Sequence, residues 1–365
     1  MNSRTYRPVW QSPVDASVLF VRAITIAPRQ PGSLKLDEVS APRVAPGALL
    51  VKTLAVGVCG TDRELIDGHY GEAPPGETRL VLGHESLGRV LEAPPGGEFS
   101  AGDLVVGIVR HPDPVPCNHC AAGEWDMCSN GRYTERGIKQ AHGFCAEIFT
   151  VEPSRAVRVE KKLGLAAVLL EPASILAKAW EHIERIGQRA RWQPRRVLVI
   201  GAGPVGLMAA LMGTQRGLEV HVQDHRDTGP KPALVRSLGA TYFSKDSDAE
   251  YDVIIECTGV PAVVRRVLEM QQPNMIACLT GLSAAASEVR MDVAPFNQNA
   301  VLNNQVVFGS VNANRRHYQA AADALARADK GWLERLLTRK VSIDDFQKAY
   351  ERSAGDVKTV ILFED

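Results

Sequence analysis

The stretch Arg196-Val197-Leu198-Val199-Ile200-Gly201-Ala202-Gly203-Pro204-Val205-Gly206 decides the fold of this chain. An apolar run of strand length ends in G-x-G-x-x-G, and the helix-like run Leu207-Met208-Ala209-Ala210-Leu211-Met212 follows at once. Gly201 permits the tight strand-to-helix turn, Gly203 lets backbone amides approach a pyrophosphate, and Gly206 lets the helix pack closely on the sheet. Pro204 and Val205 complete a helix N-terminus whose unpaired amides and dipole favour negative charge. A second strand-like run, Leu218-Glu219-Val220-His221-Val222-Gln223, ends at Asp224, close to the offset of about 20 residues expected of an acid that binds the adenosine ribose. Asp224 favours NAD, since a carboxylate pairs with free ribose hydroxyls and repels a 2′-phosphate. His225 and Arg226 follow it, and Arg226 offers a phosphate a partner, so NADP stays open.

Outward from this turn, strands and helices keep alternating: helix-like Pro232 to Leu238, then Tyr251 to Glu256, Met275 to Leu279 and Val306 to Phe308. The pattern from about Arg195 to Val311 predicts a parallel, doubly wound sheet. From Val18 to about Val159 the chain instead shows short β-type runs broken by glycine and proline, among them Val18-Leu19-Phe20-Val21, Leu49-Leu50-Val51 and Leu104 to Val109. After Tyr318, amphipathic helices lead to a last β run, Thr359 to Phe363, which is expected to rejoin that first module. The first 17 residues read as a loose polar extension.

With 365 residues and a net charge of zero, the chain has length for two domains and no basic field for nucleic acid or an anionic membrane, so a small-molecule partner is expected. The apolar stretch Val197 to Gly213 holds four glycines and a proline and reads as a buried βα unit, not a membrane span. No charged n-region precedes an apolar h-region at the N-terminus, and the expected location is cytoplasmic. Seven cysteines, an odd number, point to metal binding and buried thiols more than to disulfides. Cys145, Cys257 and Cys278 sit in mostly apolar surroundings and read as buried thiols.

Gly57-Val58-Cys59-Gly60-Thr61-Asp62 and Gly83-His84-Glu85 supply thiolate, imidazole and carboxylate donors that suit Zn²⁺. With Gly102-Asp103-Leu104-Val105, a cysteine-bearing segment, Glu171-Pro172 and the dinucleotide fold, the chain resembles the zinc-dependent medium-chain dehydrogenase/reductase superfamily over nearly its whole length. Glu135-Arg136-Gly137-Ile138, His142-Gly143-Phe144 and Gly309-Ser310-Val311-Asn312 make it most similar to the glucose dehydrogenase branch. The resemblance implies an α/β fold: a GroES-like β-rich catalytic domain (18–188 and 314–365) plus a Rossmann doubly wound dinucleotide-binding domain (189–313), with self-association as a dimer or tetramer.

It further implies that Cys59, His84 and Glu85 hold a catalytic zinc, with Glu171 as a further ligand or a partner of the metal-bound water. Thr61 is placed to relay the proton released when a sugar gives hydride to the nicotinamide, and Glu135, Glu171 and Asn312 to bind sugar hydroxyls. Cys117, Cys120 and Cys128 resemble a structural-zinc lobe whose first cysteine is replaced by Pro114; Asp113 is close enough to substitute, His119 and Asp126 are weaker candidates, and a lobe without metal is the alternative. Ser174 stands where some relatives carry an acid, which leaves glucose, xylose and galactose all open. A zinc-dependent polyol or secondary-alcohol dehydrogenase would share the metal residues without needing Glu135 or Asn312, and a non-catalytic dinucleotide-binding relative would be expected to lose them.

Overall fold

The computed structural model describes residues 20–245, 247, 249–270, 272–283 and 288–364. The polar extension and the Val18-Leu19 start of the first β run lie outside these residues, while Phe20–Ile26 forms the expected strand.

Arg196–Ile200 is a strand, and the glycine turn leads straight into the helix Pro204–Gln215. Six parallel strands lie in the order Thr241–Phe243, Glu219–Gln223, Arg196–Ile200, Val253–Glu256, Ile276–Leu279, Val306–Gly309. Chain order therefore reverses between Arg196–Ile200 and Val253–Glu256, where a doubly wound sheet opens a crevice for a ligand. Both faces of the sheet are covered. Val197, Val199, Val253 and Ile255 join the core beneath the helices Leu170–Gly187 and Pro204–Gln215, whereas Leu198, Ile200 and Ile254 face Val267 of the helix Pro261–Glu269. Burial on both sides is why these strands read as continuous apolar runs rather than as alternation.

The β-rich module is built on the long strand Leu49–Val58, which pairs with Glu85–Glu92, Ile148–Val151 and the late strand Thr359–Leu362. The last of these rejoins the first module as expected. Leu104–Gly107 and Ala156–Arg158 extend this sheet beyond Glu85–Glu92, and Arg339–Ser342 extends it beyond Thr359–Leu362. The helix Leu170–Gly187 ties the two parts together, since one continuous core contains Ala55, Leu87 and Val106 of this sheet, Leu176 and Trp180 of the helix, and Val199 and Val220 of the parallel sheet. Among the described residues, Lys161–Gly187 is the one helical segment long and apolar enough to cross a membrane; 83% of its apolar window is buried inside the protein, as in a core helix.

Candidate active site

Cys59 caps the short helix Gly60–Ile66: its Sγ accepts the Thr61 amide at 3.2 Å, and the Asp62 carboxylate accepts the Cys59 amide at 2.9 Å. This is a capping box with a thiol in place of a hydroxyl, and it fixes the direction of both side chains. Antiparallel pairing of Gly57 with Glu85 then brings the two motifs together, leaving Cys59 Sγ 3.0 Å from His84 Nε2. On the far side of the ring, His84 Nδ1 lies 3.3 Å from Asp62 Oδ1. Asp62 was not foreseen as a site residue, yet an acid behind an imidazole orients a metal-binding histidine. Glu171 enters from the first turn of Leu170–Gly187, and donor atoms of His84, Glu85 and Glu171 lie within 4.8 Å of one another, as do those of Cys59, Asp62 and His84.

This cluster is buried and acidic. Burial pushes Glu171 up to about 7, against the pull of His84 and with the push of Glu85. Burial also opposes charge on His84, but Cys59 and Asp62 outweigh it and raise its pKa well above the ordinary value. Asp62 Oδ1 and His84 Nδ1 are buried without an aligned hydrogen bond. Thiolate, imidazole and carboxylate with too little positive charge between them are a donor set that fits Zn²⁺.

Glu85 lies among the expected metal donors but has a second partner. Lys358, 1% exposed, donates to both of its oxygens, at 2.7 and 2.5 Å, and to the Val58 carbonyl at 3.2 Å. The carboxylate read as a ligand is thus occupied by a buried cation from the far end of the chain. The sign of that end is faint in the sequence, a single lysine before the apolar run Thr359 to Phe363.

At the sheet reversal a cleft of about 800 Å³ is lined by Gly201, Gly203, Asp224 and His225, together with Lys231 and Lys245, which sequence reasoning missed. A Cβ on Gly206 would lie 1.8 Å from the Gly201 carbonyl, whereas one on Gly203 would meet open space. Gly203 caps the helix with no side-chain hydrogen bond, leaving amides at its N-terminus for phosphate oxygens. Pro204, Val205 and Arg226 do not line the cleft; the Arg226 guanidinium donates to the Ala354 carbonyl. Asp224 Oδ2 accepts the Ala202 amide and Lys231 Nζ, each at 2.8 Å, and His225 Nδ1 lies 3.2 Å from Oδ1. Burial opposes its charge, yet Lys231 and the amide hold the carboxylate below its usual range.

Glu135 and Asn312, 177 residues apart, meet: Asn312 Nδ2 donates to Glu135 Oε1 at 2.6 Å, and Arg110 Nε and Nη2 donate to the same oxygen at 3.0 Å. Gly137 packs on the Gly83 backbone, where a Cβ would lie 2.6 Å from the Gly83 carbonyl oxygen, so the segment that carries Glu135 lies against the one that carries His84. Thr61 is half-buried, beside Tyr70. Ser174 is buried and donates to the Glu171 carbonyl at 2.6 Å, turned onto its own helix.

Cys117, Cys120 and Cys128 converge within 4.8 Å of one another. Asp113 does not close the set: its oxygens accept the Val115 amide at 2.8 Å, Asn130 at 2.8 Å and Arg132 at 3.2 Å, because a carboxylate on a two-residue turn captures the nearest donors. His119 is exposed and Asp126 is committed to Lys178. Amides of Cys120 and Ser129 bring the Cys117 thiol down to about 5. All seven cysteines are unpaired; Cys145 and Cys278 are buried as expected, whereas Cys257 is partly exposed and lines the cofactor cleft.

A β-rich module with a Cys/His/Glu cluster, joined through one core helix to a 3-2-1-4-5-6 parallel sheet, defines a zinc-dependent medium-chain dehydrogenase. Residues 45–161 match the alcohol dehydrogenase GroES-like domain, and residues 164–363 match the glucose dehydrogenase C-terminus. The chain is 39% identical over 355 residues to the glucose 1-dehydrogenase of Methanocella arvoryzae, covering 93% of this chain and 99% of that one. It is 38% identical over 350 residues to that of Thermoproteus tenax, with the same coverage. The solved glucose dehydrogenase of Haloferax mediterranei, in complex with NADP, Zn and gluconolactone, superposes with a TM-score of 0.87 at 32% identity, over 94% of this chain and 99% of that one. The chain belongs to the glucose dehydrogenase family.

Proposed function

We infer that this protein oxidises an aldose, glucose or a close relative, to its lactone with NAD(P) as hydride acceptor. The observation that carries this reading is the Glu135–Asn312 pair, on a segment that packs at Gly137 against the Gly83 backbone next to His84 of the metal-donor groups, since a polyhydroxylated ligand needs directional partners that a simple alcohol does not. Cys59, His84 and Glu171 would hold the zinc, with Glu85 held back on Lys358. What the metal supplies when bound is Lewis acidity toward an alcohol oxygen, and what the nicotinamide supplies is a hydride acceptor. Thr61, half-buried, relays the hydroxyl proton, accepting it as it gives up its own to water, and Glu135 Oε2, which has no partner among the described residues, accepts a sugar hydroxyl. Gly203 and the amides that follow it seat the pyrophosphate. The domain division at about residues 188 and 314 follows the sheets, and the cytoplasmic location is supported by seven unpaired cysteines.

The test is NAD and NADP reduction with aldoses, polyols and simple alcohols, on zinc-replete and chelator-treated protein. Aldose-dependent turnover lost on chelation is expected; turnover on polyols or alcohols alone would overturn the sugar reading.

We propose that self-association uses the edge strand Val306–Gly309 and the helix Val293–Leu302, a reading supported by Val293, Val301 and Leu302, which are 64%, 66% and 70% exposed. Light scattering after size exclusion should give a dimer or tetramer that Val301→Lys/Leu302→Lys shifts toward monomer.

A further inference from the structure

We propose that Lys178 and Asp126 are positioning residues for the sugar pocket: a buried ion pair, outside the metal and cofactor sites, that sets where Asn312 stands. The proposal rests on the reading of Glu135 and Asn312 as sugar ligands.

Asn312 lies on the loop that follows the last parallel strand, in the left-handed region at φ 58°, and its neighbour Val311 is 57% exposed. Ala313, 2% exposed, seats the far end of this loop in the core, but Val311 has no such packing. What holds it is Lys178, whose Nζ donates to the Val311 carbonyl at 3.0 Å from within the helix Leu170–Gly187. The same Nζ lies 2.9 Å from Asp126 Oδ2, and Asn314 Nδ2 donates to Asp126 Oδ1 at 2.7 Å, so the loop is fixed on both sides of Asn312. The Asp126 carbonyl accepts Arg110 Nη1 at 3.3 Å, and Arg110 grips Glu135. Glu135, Arg110, Asp126, Lys178, Val311 and Asn312 thus form a closed ring, both sugar ligands included, made from segments that precede the dinucleotide fold and from the loop at its end.

Asp126 is 4% exposed and Lys178 2%. A buried ion pair is on average no better for stability than apolar residues of the same shape, so stability alone gives little reason to keep this one. A defined position for the exposed turn at Val311 and Asn312 is a reason. Asp126 also sits two residues from Cys128, so the cysteine lobe is fastened to the sugar pocket through this pair.

The experiment uses the full zinc-loaded enzyme and its preferred aldose. Lys178→Met and Asp126→Asn each leave one buried charge unpaired and are expected to lower Tm, whereas the double variant, neutral and close in shape, should regain most of it. A structural role would let the sugar KM recover along with Tm. A positioning role keeps KM in the double variant raised about tenfold with kcat little changed, because ground-state binding is what is lost. Zinc content and NAD(P) affinity, read by fluorescence without sugar, should match the parent. A parental KM in the folded double variant, or in Lys178→Met if that single variant folds, overturns the proposal. Glu135→Ala is the control: if its KM rises while the double variant's does not, this inference alone fails; if its KM is parental, the sugar assignment fails and this inference with it.

Discussion

Lys358 is a buried cation whose removal has a direct energetic consequence at the metal cluster. It is buried against Glu85 with two short contacts, and Lys358→Met would leave that carboxylate unpaired among Glu171 and Asp62. Breaking a buried pair by removing one partner costs about 3–5 kcal/mol, so urea denaturation should show a loss of that order, reduced by zinc. A variant as stable as the parent would mean that Glu85 finds other compensation. At the cofactor cleft, Lys231 neutralises the acid that should exclude a 2′-phosphate. Lys231→Ala is expected to lower kcat/KM for NADP about tenfold relative to NAD, because Asp224 then faces the ribose uncompensated; an unchanged ratio would remove Lys231 from cofactor choice. The glycines, Cys59 and His84 were legible because their chemistry is local to short motifs. Asp62, Lys358 and Lys178 were not, because each acquires its role from partners that the fold alone brings near; Lys358 and Glu85 are 273 residues apart.

The helix Arg315–Arg327 is fastened at its start by a protonation-dependent cap. The Asn314 amide donates to His317 Nδ1 at 3.2 Å, and His317 Nε2 lies 3.2 Å from Glu181. Burial depresses the His317 pKa to about 4, despite the pull of Asp126 and Glu181. Burial likewise brings His111 down to about 3, helped by Arg136 and Arg155. Both histidines bind protons more readily unfolded, near pH 6.5, than folded, so their contribution is complete above about pH 6.5 and is lost as pH falls toward their folded values. Tm should drop between pH 7 and pH 5, and His317→Gln should flatten that drop; an identical pH profile would exclude the cap as its source. At this scale the sequence was read well where burial on two faces produced unbroken apolar runs, as in Arg196–Ile200. It was less decisive in the cysteine lobe, where Asp113 as a metal ligand and a lobe without metal were both open, and the turn geometry gives Asp113 to Asn130 and Arg132.

Taken as a whole, the two largest sheets of the molecule share one helix, and Leu170–Gly187 presents Glu171 to the metal cluster, Lys178 to the loop before Arg315–Arg327, and Trp180 to the shared core. Zinc should therefore stabilise more than the cluster it binds: saturating metal is expected to raise the single unfolding transition of the whole chain, following the linkage between binding and folding. Two separated transitions, with one unmoved by metal, would show that the sheets unfold independently. The closed ring through Val311 and Asn312 also bears on protein engineering. Nucleotide preference looks like a modular property, one that could be exchanged by transplanting residues 189–313 from a relative. In this chain such a transplant would carry Asn312 with it and sever the Lys178 anchor unless the donor loop restored it. Changing the coenzyme by recombination would then rewrite the choice of sugar as well.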